Sequence, residues 1–167
     1  MTIPEKTCTL DRRILVIKVL RMMKSGTFLL FFMAVAMSWN TAFAEKHFSE
    51  SPPGAKAYII SPKDGEVVDK TFTVRFGLVS MGVAPAGVKL PNTGHHHLLI
   101  DLENLPDMEK PLAFSENVMH FGGGQTETEI TLAPGKHTLR LLLGNYLHIP
   151  HKPPVLSEKI TVTVKDK

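Results

Sequence analysis

A period-two alternation of apolar and polar residues, broken at intervals by proline- and glycine-bearing turns, constrains this chain more than any other feature. Residues 71–78 (TFTVRFGL) set Phe72, Val74, Phe76 and Leu78 on one face and Thr71, Thr73 and Arg75 on the other, the signature of a half-buried strand. Residues 127–132 repeat the pattern with Thr128, Ile130 and Leu132 inward. In residues 137–143 (HTLRLLL), His137, Leu139, Leu141 and Leu143 share one parity, and residues 157–164 end the series with Ile160, Val162 and Val164 facing in. Further strands are expected at 57–60 and 95–101. Ser61-Pro62-Lys63-Asp64-Gly65 reads as a turn. Ala133-Pro134-Gly135-Lys136 places Pro and Gly as a type II turn requires, so a hairpin is expected there. Residues 102–125 are long for a plain loop, so they hide a short strand or have a function. Beyond the N-terminal segment no stretch keeps a 3.6-residue apolar period. About seven short strands in roughly 110 residues predict one all-β domain, an antiparallel immunoglobulin-like β-sandwich without internal repeat.

The first 44 residues are of another kind. Met22-Met23-Lys24 opens a basic stretch, residues 27–39 (TFLLFFMAVAMSW) are apolar, and Thr41-Ala42-Phe43-Ala44 ends in a small-x-small pattern. This is the layout of a secretory signal peptide cleaved after Ala44, with Met22 or Met23 as an alternative translation start. The apolar run falls short of the ~20 residues that span a bilayer, so no stable membrane span is expected after cleavage. The expected organisation is a signal peptide (1–44), a flexible leader (45–56) containing Pro52-Pro53, and the β-sandwich (57–167), located in the periplasm or secreted. Removing 1–44 leaves 13 Lys and Arg against 14 Asp and Glu, a formal charge of about −1. The pI near 9.0 therefore belongs to the leading segment, and basicity gives no case for a nucleic-acid partner. Cys8 goes with that segment too, which leaves no disulfide, thiolate ligand or cysteine nucleophile.

Seven of the eight histidines fall between His95 and His151. His95 and His97 are two apart, so on a strand both side chains leave the same face, a spacing that suits two ligands of one metal. In an immunoglobulin-like sandwich His120, His148 and His151 reach the same end as this pair, which makes His95, His97, His120, His148 and His151 the candidate metal ligands. An all-imidazole set suits Cu(II) or Zn(II), and Met119 is a candidate soft ligand for copper. His96 shares its parity with Leu98 and Ile100 and reads as a satisfied core histidine; His137, among three leucines, also reads as structural. His47 in the leader has no specific role. Gly122-Gly123-Gly124 precedes a strand and lacks the lysine of a phosphate loop; close backbone approach or chain mobility explains it better. The competing reading is a domain that binds an envelope protein or glycan through an exposed surface at Phe121, Tyr146 and Ile149. A metal-dependent hydrolase or oxidase would need a neighbouring base such as Glu103 or Glu116. No serine sits in a nucleophile-elbow context.

The strings SPKDGEVV, GHHHLLID, HFGGGQTE and LAPGKHTLRLLLGN, then His148, HKPP and a closing KITVTV, together resemble an uncharacterised bacterial exported family, domain of unknown function 4399. The resemblance runs over about residues 57–164. It implies an exported β-domain and carries no activity with it.

Overall fold

In a computed structural model of the chain, residues 47–166 are described; the expected signal peptide lies outside them. The alternating stretches form strands β1 (Lys56–Ser61), β2 (Val67–Val68), β3 (Thr71–Val79), β4 (Gly82–Val83), β5 (Thr93–Ile100), β6 (Val118–His120), β7 (Glu127–Thr131), β8 (Gly135–Gly144) and β9 (Ile160–Val164). One sheet has the order β1-β3-β7. The other has the order β2-β9-β8-β5-β4, with β6 also paired to β5. These correspond to the two layers of an immunoglobulin-like sandwich.

The inward parity is the expected one. Val74, Phe76 and Ile130 from the small sheet pack with Leu98, Ile100, Leu139, Leu141, Leu143, Val162 and Val164 from the large one in a single core. Each such side chain, fully buried, contributes about 1.5–3 kcal/mol over its exposed state.

Three expectations are corrected. The large sheet is mixed, because β2 pairs with β9 and β4 with β5 in parallel. Both are two-residue segments in which the chain, after β1 or β3 of the small sheet, runs briefly along the large one. The Ala133–Lys136 turn closes no hairpin: β7 pairs with β3 while β8 pairs with β5 and β9, so the chain changes sheets there. Turn chemistry sets the reversal, with Gly135 at φ 132°, but not the partner of the strand that follows. Finally, the leader is held from His47 onward. Lys152 N donates to Ser49 O at 3.0 Å, Ser51 N to Lys152 O at 3.1 Å, and Asn145 Nδ2 to His47 O at 2.8 Å.

The long 102–125 segment does hide a strand, β6, which lies antiparallel against β5 with Leu99 opposite Val118 and His97 opposite His120. The rest of that segment covers the outer face of the large sheet, where Leu99, Leu112, Val118 and Leu142 form a second small core. His95, His97 and His120 lie on the same face beside this small core. Among the described residues no helix is long and apolar enough to cross a membrane.

Candidate metal centre

Strand alternation divides the histidine triplet. His96 joins Leu98 and Ile100 on the core face, 5.2 Å from the Phe76 ring. His95 and His97 point the other way, with ring centroids 4.9 Å apart, and both are fully buried. β6 brings His120 beside them, 4.9 Å from the His95 ring and 5.1 Å from His97. The loop after β8 adds His148, 5.0 Å from His95 and 4.8 Å from His120. One ring nitrogen from each of the four lies within 4.8 Å of every other. His95 Nε2 and His148 Nδ1 are already 3.1 Å apart, close to the ~3.3 Å between two nitrogens bound tetrahedrally at Zn–N ~2.0–2.1 Å.

Residues that sequence reasoning did not single out as site residues make room for these rings. Gly144 stands opposite His95 in the β5–β8 ladder, and a Cβ there would come within 2.7 Å of His97 Cε1. A Cβ on Gly122 would overlap the His120 ring. The glycine run had pointed to a close backbone approach, and the group approached is this imidazole. His148 is held in the left-handed region at φ 64°, which is unfavourable for a residue with a side chain. Asn145 supports it: buried, it accepts from Leu147 N (2.8 Å) and Ile149 N (3.1 Å) through Oδ1, while its carbonyl accepts from His148 N at 2.8 Å. Phe114, 59% exposed, stacks on His120 at 4.6 Å and meets His148 edge-on at 5.5 Å.

Burial first, then the neighbouring imidazoles, lowers His95 to a pKa of about 4 and His97 to about 3, from the ordinary 6.5. His120 is lowered as well, by burial and by His148. At neutral pH these rings are uncharged, the state in which imidazole binds metals. Four of their buried nitrogens, His95 Nδ1, both of His97 and His120 Nε2, have no hydrogen-bond partner.

The other expected site residues fall elsewhere. His151 is buried but stands outside the group, its Nδ1 facing Leu143 O at 3.4 Å and its Nε2 facing Thr93 O at 3.2 Å. With a backbone acceptor at each nitrogen, no lone pair is directed to the cluster. The donors share the outer face of the large sheet, with His95 and His97 toward the start of β5, His120 at the end of β6 and His148 in the loop after β8. Met119 packs into the main core opposite His120, so it is no candidate ligand. His96 is buried as expected, yet neither ring nitrogen has a partner; it is packed but not satisfied. His137 is tied at both nitrogens, to Asp101 Oδ2 at 2.6 Å and Ala133 O at 2.8 Å. Phe121 and Ile149 are buried and Tyr146 half-buried beside Lys89, which removes the motive for an exposed interaction surface there. Glu103 lines a hollow with Arg140 and Lys159, and Glu116 a cleft with Asp101 and Glu129; neither belongs to the donor group.

Fold and site together define an immunoglobulin-like sandwich with a four-histidine cluster on its outer face. Residues 74–165, more than half of the chain, match the family model described as Domain of unknown function (DUF4399), and the chain belongs to that family. The match begins later than the resemblance read from the sequence, leaving out SPKDGEVV. No curated protein matches the chain in sequence. Among solved structures it is similar to the endo-beta-1,4-mannanase from Thermotoga petrophila, with TM-score 0.38 and 16% identity over 68% of this chain and 20% of that one. It is also similar to the Clostridium thermocellum CbhA fibronectin(III)-like modules, with TM-score 0.33 and 10% identity over 66% of this chain and 95% of that one. The chain thus spans about a fifth of the length of the mannanase. Sheet order and the shared core, not these slight likenesses, define the fold class.

Proposed function

We propose that this domain is a non-enzymatic metal-binding module that holds Cu(II) or Zn(II) through His95, His97, His120 and His148, in a protein exported by its N-terminal segment. The observation that carries the reading is the convergence of the four rings, one nitrogen of each lying within 4.8 Å of every other, in a group where buried nitrogens of His95, His97 and His120 have no protein partner. A buried polar atom left unpaired costs roughly 1–3 kcal/mol, and one ion would relieve several such atoms at once. Nitrogen donors favour Zn(II) and Cu(II) over Ca²⁺ and Mg²⁺, which take oxygen. Export is supported by the basic stretch, the apolar run and the small-x-small site at Ala44.

Calorimetric titration of the exported chain with Cu(II) and with Zn(II), near neutral pH, is the test. One saturable site is expected, lost in the His95→Ala/His97→Ala double variant. A double variant that binds as tightly as the unaltered protein would contradict the reading.

A further inference from the structure

Imidazole binds a metal as a neutral ligand, so a divalent ion held by four of them keeps its full double charge. Cys, Asp and Glu ligands supply counter-charge at many zinc sites; here the donor group contains none. Asp101 is paired with His137, and Glu109 with Lys152. Yet His95 and His97 are fully buried, and an uncompensated charge in such surroundings is costly. The enclosure is also one-sided. His120 and His148 are half-buried, and the exposed ring of Phe114 stands against both.

We propose that the loaded site takes up a small monoanion, of the halide or formate class, as an additional ligand on its Phe114 side. This rests on the metal reading above. The anion would replace a water on the ion and lower the net charge from two to one, with no electron transferred. The buried rings hold the ion from beneath, and the missing counter-charge comes from solution.

The test uses the exported chain loaded with one equivalent of Cu(II) and titrated with sodium azide. A saturable azide-to-copper charge-transfer absorption is expected, absent without copper and absent when sodium perchlorate, which screens charge but scarcely coordinates, replaces azide. In Phe114→Ala, azide binds several-fold faster; an unchanged rate would overturn the assigned side. A copper-loaded protein that shows its ligand-field band and no azide band overturns the proposal while leaving the metal reading intact. Absence of the ligand-field band itself sinks the metal reading, and the proposal with it.

Discussion

His137 and the pair His95/His97 are imidazoles on neighbouring strands of one sheet, yet they answer enclosure in opposite ways. Burial alone would lower the pKa of His137, but the hydrogen bonds to Asp101 and to Ala133 O, with the Asp101 charge, raise it. Each of its nitrogens faces an oxygen acceptor, which favours the doubly protonated ring and engages both nitrogens. Burial first, then the neighbouring histidines, lower His95 and His97 to about 4 and about 3. An imidazole facing an anion is drawn toward its charged form, whereas buried imidazoles facing one another are driven toward the neutral form that binds metal. The same residue type serves structure at one end of β8 and offers ligands at the other.

The largest expected break in this contrast comes from substitution. Saturating metal at a hundred times Kd should stabilise the unaltered protein by about 2.7 kcal/mol, and His137→Ala should retain that increment. The His95→Ala/His97→Ala variant should lose it, with affinity falling further than the ~10–100-fold typical of losing an outer-shell partner. Thermal melts with and without Zn(II) measure both.

Acid should separate the two regions next. The folded pKa values of His95 and His97 lie below the unfolded 6.5, so between about pH 6.5 and pH 4 the unfolded chain binds more protons. Their contribution is therefore present above pH 6.5 and lost as pH falls toward about 4 for His95 and about 3 for His97, and the metal-free protein should melt at progressively lower temperature across that window. His137 has the opposite sign: its contribution is present below 6.5 and lost as pH rises through its raised folded pKa. Asp101→Asn should flatten that second dependence and leave the first intact, as pH-dependent urea melts would show.

The smallest effect is the most local. Gly122→Ala should push the His120 ring aside and weaken metal binding while hardly changing the stability of the metal-free protein, because the glycine lies outside every strand. A variant that instead melts early and binds metal normally would assign the glycine to folding alone.

The fold was legible where side-chain parity decides it: residues 71–78 and 127–132 alternate, and their apolar faces are the core. Sheet membership was not legible at Ala133–Lys136, because a turn sequence specifies a reversal and not the strand partner across space. The cluster was half-legible. The two-residue spacing of His95 and His97 declares a shared face from local geometry alone, but the register that sets His120 opposite His97 depends on strand pairing. His148 and His151 are three apart in sequence and look equivalent. The left-handed turn at His148 and the carbonyls around His151 separate them. Gly144 and Asn145 gave no signal, since the space one leaves and the turn the other holds exist only after folding.

The central claim is that four particular histidines, and not the others, are donors. Ring ¹⁵N spectra of the histidine-labelled exported chain, recorded through a Zn(II) titration, test it most directly. The account predicts that one ring nitrogen each of His95, His97, His120 and His148 moves to a metal-bound shift at one equivalent, while His137 and His151 hold theirs. Metal-bound shifts at His137 or His151, or four unmoved cluster rings at saturating zinc, would contradict it.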